Sequence, residues 1–328
     1  MRNFKGWLVV SAATGINLIL GLLYIWSIMS KALVKELGWT STEASLPYTV
    51  CTAVFAIVMV FAGKFQDIKG PRLASTFGGI LLGGGLILSS LTENPLIMII
   101  TFGVLGGAGI GFCYAATTPS ALKWFPIQKK GLISGIVVSG VGFAAVYISP
   151  LTNSFLISYG ISKTFFYLGI GALIILIILS QLLFESHSAN PSKTELAANK
   201  DNVSESESKK EHGWKEMLKT LDFYKLWIMY AFTSSAGLMI IGHIANIANM
   251  QARWENGYLL VVLLAIFNTS GRIIAGSISD RLGYLNTMRI IFLLQAINMA
   301  FFGQYSSSAS LAAGVAIAGL CYGALFSV

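Results

Sequence analysis

Ten long runs of apolar residues divide the chain, and shorter polar segments separate them. A helix needs about 20 mostly apolar residues to cross the hydrocarbon core of a bilayer, and each run is about that long or longer. The pattern therefore predicts ten transmembrane helices, which we number spans 1 to 10: residues 7–30, 44–63, 72–92, 96–122, 131–158, 161–184, 222–249, 257–279, 286–304 and 308–328.

One polar segment is much longer than the others. Residues 186–213 are rich in Ser, Lys and Glu and show no apolar periodicity, which is typical of a disordered linker. We expect this linker to join an N-terminal bundle of six helices, residues 1–185, to a C-terminal bundle, residues 214–328, that holds four. Trp214 and Met217 share one helical face just after the linker, which predicts a short helix on the membrane surface.

Composition supports a membrane protein and argues against other classes. Of 328 residues, 55 % are hydrophobic and 11 % are charged, whereas soluble domains carry about a quarter charged residues. The net charge is +8, but a basic face that binds nucleic acid needs a soluble domain, and the sequence predicts none. We therefore expect no nucleic-acid partner. The three cysteines lack metal-ligand spacing, and we find no catalytic motif or ATP-binding loop. We expect no metal, no cofactor and no enzyme activity.

The basic residues predict the orientation of the chain in the membrane. With the N-terminus inside, 17 of the 22 Lys and Arg residues lie on the cytoplasmic side, four lie outside and one, Arg272, lies within a span. Cytoplasmic loops of membrane proteins carry such an excess. We therefore predict a multi-pass protein of the plasma membrane whose N-terminus and linker lie in the cytoplasm.

Two pairs of motifs indicate an internal repeat. The loop 63-GKFQDIKGPR-72 after span 2 resembles 276-GSISDRLGYLNTMR-289 after span 8, and 111-GFCYA-115 in span 4 resembles 319-GLCYG-323 in span 10. The two pairs have nearly the same separation, which predicts six spans, a linker and a second set of six. The copy stops at span 10, so we expect either a fragment or a shortened protein.

Span 8 carries a cation where the membrane disfavours one. Arg272 lies near the middle of the span, a placement that costs roughly 2.5–3.5 kcal/mol on insertion scales. Asn268, Thr269 and Arg272 share one helical face, whereas Val262, Ile266, Ile273 and Ile274 face elsewhere. All 14 acidic residues lie outside the spans or at their ends. An unpaired guanidinium predicts an anion site that suits a carboxylate, although a structural or snorkelling arginine is the alternative.

Five further side chains are candidates for the same site. Tyr114 and Tyr322 are related by the repeat, Tyr24 lies on a polar stripe of span 1 and Tyr147 lies in span 5. His243 of span 7 is the single histidine within a span, and it could carry a proton or be a neutral histidine bonded between helices. The aromatic residues could equally pack between helices.

These motifs resemble the major facilitator superfamily. The G-x-x-x-D-x-x-G-x-R loop, its second copy and the plan of 6 + linker + 6 carry the resemblance. The segments 237-GLMIIGHIANIA-248 and 111-GFCYAATTPSALKWFP-126, with the Arg272 region, are similar to the oxalate/formate antiporter family and bacterial monocarboxylate transporters. The implied fold is an all-α, two-bundle membrane fold, here truncated after the tenth helix.

The resemblance implies a secondary active transporter that works by alternating access. In those families an arginine of span 8 binds the carboxylate of a small organic acid such as oxalate, formate or lactate, so we expect Arg272 to do so as an anion exchanger or a proton symporter. Asp67, Arg72, Asp280 and Arg281 would form a latch of charge pairs on the cytoplasmic side. We expect a monomer. The alternative is a non-transporting sensor or an inactive fragment of such a transporter.

Overall fold

The computed structural model describes residues 2–185, 214–253 and 258–328. The predicted linker, residues 186–213, lies outside the described residues. Regular secondary structure in the described part is helical throughout, without a strand. The predicted all-α class is therefore confirmed.

Seven helices form the first half: α1 (Arg2–Leu20), α2 (Trp26–Leu37), α3 (Ser41–Lys69), α4 (Pro71–Ser89), α5 (Pro95–Met98), α6 (Gly107–Leu122) and α7 (Lys130–Gln181). A 3₁₀ turn, Gly21–Ile25, joins α1 to α2, and wider π-helical turns, Ile99–Gly106, join α5 to α6. Each of these composite helices corresponds to one predicted span. Helix α7 has 52 residues and corresponds to spans 5 and 6, which meet at the non-helical Gly160 (φ 77°, ψ 179°).

The second half has five helices: α8 (Trp214–Met217), α9 (Leu221–Ala252), α10 (Tyr258–Leu282), α11 (Tyr284–Phe302) and α12 (Ser308–Ala324). Helix α8 is a single turn before the seventh predicted span. Helices α9 to α12 correspond to spans 7 to 10.

Most of these helices are long and apolar enough to cross a membrane. Within the described residues, eight helical stretches meet that condition by length and composition, and α12 is a shorter apolar helix of 17 residues. Large apolar side chains on their outer faces, such as Val60, Phe61 and Ile157, are more than two-thirds exposed. Such faces suit contact with lipid, and the multi-pass membrane architecture follows from them.

Close helix packing in the first half depends on glycine. A Cβ atom at Gly107 of α6 would lie 2.4 Å from the carbonyl oxygen of Cys51 in α3, and one at Gly109 would lie 2.4 Å from the nitrogen of Leu82 in α4. Such contacts require residues without a side chain. The glycines of span 4 therefore form surfaces for helix contact.

The turns after α3 and α10 have the same backbone shape. Gly70 follows α3 with φ 87° and ψ 160°, and Gly283 follows α10 with φ 79° and ψ 149°. In each case an aspartate, Asp67 or Asp280, lies three residues earlier in the preceding helix. The separation of 213 positions (283 − 70) equals that of the two aspartates (280 − 67), so the structure supports the predicted repeat.

Candidate functional site

Helix α10 has one apolar outer face and one buried polar face. Val262, Ile266 and Ile274 are 45–51 % exposed, whereas Asn268 and Arg272 are 5 % and 3 % exposed. The predicted separation of the two faces is therefore correct. Arg272 lies ten residues before the end of α10 at Leu282, or about 15 Å at 1.5 Å per residue, which is half the thickness of a hydrocarbon core.

The guanidinium of Arg272 has three neighbours, one of them from the first half of the chain. Its Nη1 donates to the main-chain carbonyl of Val138 in α7 at 2.5 Å, and its Nε donates to Oδ1 of Asn268 at 3.2 Å. Its Cζ lies 5.0 Å from the centre of the Phe326 ring. The sequence predicts that Arg272 has no carboxylate partner, and the structure adds two neutral protein oxygens that accept its hydrogen bonds.

None of these neighbours compensates the charge. A carbonyl, an amide and an aromatic ring are neutral, and no carboxylate of the described residues pairs with Arg272. The ion pair found in the described part, Lys225 with Asp222, is exposed and lies at the start of α9. Arg272 is thus a buried cation held by hydrogen bonds but without a counter-ion among the described residues, which favours an anionic ligand.

An aromatic cluster of the second half lies next to this cation. The Phe326 ring, which contacts Arg272, lies 5.3 Å from that of Tyr322 and 6.2 Å from that of Tyr230. Tyr114 packs edge-on against Phe55 of the first half at 5.7 Å. Tyr322 is therefore one ring away from the contact of Arg272, whereas a place for Tyr114 at the arginine stays a prediction.

Tyr230 and Phe326 are absent from the predicted set. A signal for Tyr230 does exist, because Tyr230, Ser234 and Gly237 fall on one face of α9 as a small and polar stripe. Gly237 meets the Tyr322 ring, since a Cβ there would lie 2.3 Å from Cδ2. Phe326 gives no comparable signal, because it follows the last turn of an apolar helix.

Other predicted residues lie in helix contacts. Tyr147 donates its hydroxyl hydrogen to the carbonyl of Leu18 in α1 at 2.9 Å, so this group joins two helices of the first half. Thr269 donates to the carbonyl of Ala265, one turn earlier. The side chains of Tyr24 and His243 lie outside the described residues.

The polar stripe of span 1 also serves packing. Asn17 is fully buried and its Nδ2 donates to the carbonyl of Val137 at 2.8 Å. Gly21 allows a close approach, because a Cβ there would lie 1.9 Å from the Cβ of Ala144. The first contact joins α1 to α7, and the second joins the 3₁₀ turn after α1 to α7.

The two halves meet between α7 and α10, along a line that we call the interhalf seam. It consists of Gly131, Gly135 and Gly142 of α7 and of Thr269, Arg272 and Gly276 of α10. A Cβ at Gly131 would lie 2.3 Å from the carbonyl oxygen of Gly276, and one at Gly135 would lie 2.3 Å from that of Arg272. Backbones in such contact fix the relative position of the two helices.

The predicted latch takes a different form from the expected charge pairs. Both carboxylate oxygens of Asp280 accept main-chain hydrogen bonds from α7, Oδ1 from Gly131 at 2.7 Å and Oδ2 from Leu132 at 2.8 Å. A carboxylate at a helix N-terminus satisfies free N–H groups and meets the positive end of the helix dipole. The partner of Asp280 is therefore a helix end and not an arginine.

The remaining latch residues make no ion pair within the described part of the chain. Arg72 donates from Nε to the carbonyl of Leu183 at 3.3 Å and stacks over the Phe184 ring at 4.5 Å. Asp67 and Arg281 are exposed. The latch of charge pairs therefore stays a prediction, and in this conformation main-chain N–H groups at the start of α7 bind Asp280.

Two open cavities lie away from Arg272. One of about 560 Å³ is apolar and is bordered by Met239, Ile240 and Phe302 of α9 and α11. The other, of about 430 Å³, lies between α2 and α3 and is bordered by Lys31, Ser45 and Thr49. Arg272 borders neither cavity and is 3 % exposed. In the described part, no group of three His, Cys, Asp or Glu residues could hold a metal ion.

Comparison with known proteins agrees with this architecture. The chain is 25 % identical over 314 residues to the "Oxalate:formate antiporter" of Oxalobacter formigenes, covering 95 % of the chain and 72 % of that protein. It is 26 % identical over 296 residues to the "Uncharacterized MFS-type transporter YhjX" of Escherichia coli (strain K12), covering 90 % of the chain and 71 % of the relative. The rat "Monocarboxylate transporter 9" is 28 % identical over 179 residues, 52 % of the chain and 34 % of that protein.

Solved structures share the fold. The proton:xylose symporter XylE superposes with a TM-score of 0.68 at 12 % identity, covering 100 % of the chain and 82 % of XylE. The transporter FucP in its outward conformation gives 0.69 at 13 % identity, covering 98 % of the chain and 84 % of FucP. The sequence model of the protein family "Major Facilitator Superfamily" matches residues 8–328. The chain therefore belongs to the major facilitator superfamily.

Proposed function

We propose that this chain is a secondary active transporter of small organic carboxylates, such as formate, oxalate or lactate, with Arg272 as the ligand of the carboxylate group. One observation carries the proposal: Arg272 is 3 % exposed near the middle of a membrane helix and has neutral neighbours. The relatives named for oxalate, formate and monocarboxylates support the same substrate class. Secondary transport accords with the absence of an ATP-binding motif from the sequence.

The neighbours of Arg272 orient it for this role. Asn268 holds Nε, and the Phe326 ring covers one face of the guanidinium, so the group can turn only within a narrow range. A planar guanidinium in a fixed position binds both oxygens of a carboxylate in parallel. Tyr230 and Tyr322 lie against the Phe326 ring, and tyrosine hydroxyl groups can donate to a carboxylate. Tyr114 is a further candidate because the repeat relates it to Tyr322.

Exchange of one anion for another is the simpler transport mode for this site. The spans contain no acidic residue in their interior that could carry a proton. His243 remains the proton carrier to test if transport proves to be coupled to protons. We propose a monomer in the plasma membrane with its N-terminus in the cytoplasm, on the basis of the distribution of Lys and Arg.

Transport into vesicles tests the proposal. The purified chain is reconstituted into liposomes that contain formate, oxalate, lactate or pyruvate, and uptake of the same labelled acid is measured. We expect uptake by the unmodified chain and a loss of at least tenfold in Arg272→Gln, because the proposed carboxylate ligand is removed. Arg289→Gln is the matched control, since Arg289 lies exposed near the start of α11.

Two results would contradict the proposal. If Arg272→Gln transports as well as the unmodified chain, Arg272 is not the ligand. If the intact chain moves none of the four acids, the proposal of a sensor or inactive form gains support.

A further inference from the structure

The hydrogen bond between Arg272 and Val138 joins the two halves of the molecule. Val138 lies in α7 and Arg272 in α10, 134 positions apart in the chain, and both residues are at most 3 % exposed. A buried hydrogen bond from a charged donor contributes more than a neutral one. The residue that carries the positive charge of the site is therefore also a link between the halves.

This link lies within the interhalf seam. The main chain of Arg272 touches Gly135, while its side chain reaches Val138, almost one turn further along α7. One residue thus contacts α7 through both its carbonyl and its guanidinium. Any movement that separates α7 from α10 at this level must break the bond to Val138.

We infer that Arg272 ties α7 to α10 in the absence of substrate, and that a bound carboxylate releases the tie by replacing the Val138 carbonyl as the acceptor of Nη1. The inference rests on the proposed function and adds a consequence of binding for the conformation. Anion binding would then loosen the seam at the depth of the site.

The competition favours the carboxylate on chemical grounds. A carbonyl offers Nη1 one neutral oxygen, whereas a carboxylate offers two oxygens that share a negative charge and match the two N–H groups of a guanidinium. Binding at a charge-assisted pair therefore outweighs the loss of the carbonyl contact.

The contact of Asp280 with the start of α7 differs in this respect. It lies eight residues from Arg272, about 12 Å along α10, and none of its partners is a predicted substrate ligand. Substrate does not replace it directly. The seam therefore has one contact that responds to the anion and one that does not.

Cross-linking of the seam tests the inference in the full chain. Cys51, Cys113 and Cys321 are replaced by alanine, and Lys130→Cys and Leu282→Cys place a reporter pair at the exposed ends of α7 and α10. The rate of cross-linking by a short bismaleimide is measured in liposomes, with and without saturating formate. Arg272→Gln, Arg272→Lys and the control Arg289→Gln are added separately to this background.

We expect formate to slow cross-linking in the background protein and in Arg289→Gln. In Arg272→Gln and Arg272→Lys we expect cross-linking to be slow already without formate, by about tenfold for the loss of a hydrogen bond from a charged group, and to respond less to formate. Elution of each variant as a single species in gel filtration shows that it is folded.

Three results would overturn the inference, and they separate it from the proposed function. If both Arg272 variants lose transport but cross-link as fast as the background without formate, Arg272 binds the anion and is not a tie. If they cross-link slowly, but formate does not change the cross-linking rate of the background protein although that protein transports it, the anion does not release the tie. If formate changes nothing and is not transported, the proposed function fails together with the inference.

Discussion

At the scale of single residues, the surroundings of Arg272 satisfy its hydrogen bonds but not its charge. Asn268 and the Val138 carbonyl accept from the guanidinium, and Phe326 covers one face. A charge near the centre of a membrane helix costs roughly 2.5–3.5 kcal/mol. Neutral acceptors reduce that cost and hold the group in place, and they leave a net positive charge for a ligand to neutralise.

Replacing Asn268 tests how this orientation is maintained. We expect Asn268→Ala to raise the KM for the transported acid about tenfold, because Nε loses its acceptor and the guanidinium turns more freely. Concentration-dependent uptake into liposomes measures this. The control is Asn286→Ala, which removes a similar contact with Arg289 on the exposed start of α11. Equal effects of the two substitutions would contradict the orienting role.

Replacing Phe326 tests the contribution of the aromatic ring. The ring centre lies 5.0 Å from Cζ of Arg272, and a cation over an aromatic face gains about 0.5–2 kcal/mol. We expect Phe326→Leu to weaken substrate binding by roughly 2- to 30-fold at similar expression. Phe301→Leu, on the outer face of α11, serves as the control. Unchanged binding in Phe326→Leu would show that the ring only fills space.

The sequence predicts the residues that α10 contributes to this site well and the contact that α7 contributes poorly. Periodicity along α10 identifies Arg272 and Asn268, because both lie on the same helix and their neighbours alternate in polarity. Val138 cannot be identified in this way, since it contributes a main-chain oxygen and its side chain is an ordinary apolar one. The hydroxyl of Tyr147 looks available in the sequence, yet a carbonyl of α1 accepts its hydrogen.

At the scale of helices, the seam between α7 and α10 is the main contact between the halves. Its glycines allow the two backbones to touch, and Asp280 bonds to the first N–H groups of α7. Small residues at a helix interface let two backbones approach closely, and no side chain ties them together at those points. The seam therefore suits a surface that closes and opens during transport.

A methyl group at Gly135 tests the need for close contact. A Cβ at this position would lie 2.3 Å from the carbonyl oxygen of Arg272, so the helices must move apart. We expect Gly135→Ala to reduce transport at least tenfold and to slow cross-linking between positions 130 and 282.

Gly84→Ala is the matched control, because nothing lies within 4 Å of a Cβ there and alanine favours the helix by about 1 kcal/mol. Full activity of Gly135→Ala would contradict the proposed role of the seam.

The carboxylate of Asp280 is expected to stabilise the closed seam. Asp280→Asn keeps the shape of the side chain, loses its charge and keeps one acceptor oxygen for two N–H groups. We expect cross-linking between positions 130 and 282 to slow about 5- to 30-fold, since a charged cap contributes about 1–2 kcal/mol. Asp222→Asn, which breaks an exposed ion pair, should leave the rate unchanged. A rate equal to that control would show that Asp280 does not hold the seam.

The helix ends follow from local sequence more closely than the contacts between helices do. The predicted boundary near residue 160 coincides with Gly160, whose φ of 77° is open to glycine. The partner of Asp280 was harder to predict, because a charge near an arginine-rich loop suggests an ion pair. The helix N-terminus that it binds comes from the other half of the chain, 148 positions away or more.

At the scale of the whole molecule, the two halves share a plan but differ at the site. At the offset of 213 positions, Arg272 corresponds to Met59 and Asn268 to Phe55 in the first half. The arginine therefore belongs to one copy of the repeat, and the opposite copy contributes the carbonyl that accepts its hydrogen bond.

The fold could be predicted from sequence because membrane helices and repeats leave regular patterns. Span lengths, the repeated loops and the polar face of α10 together indicated the superfamily that the family match confirms. The closed seam could not be predicted from the sequence, because it depends on which glycines of two helices far apart in the chain meet. Substrate identity is also beyond such patterns, because formate, oxalate and lactate all carry the carboxylate group that an arginine can bind.

Direct binding of an organic acid to purified protein tests the central claim. Equilibrium binding of labelled oxalate and formate is measured for the intact chain, Arg272→Gln and Arg289→Gln in the same detergent. The account predicts saturable binding by the intact chain and Arg289→Gln, and at least tenfold weaker binding by Arg272→Gln. Binding of equal strength in all three proteins would contradict it.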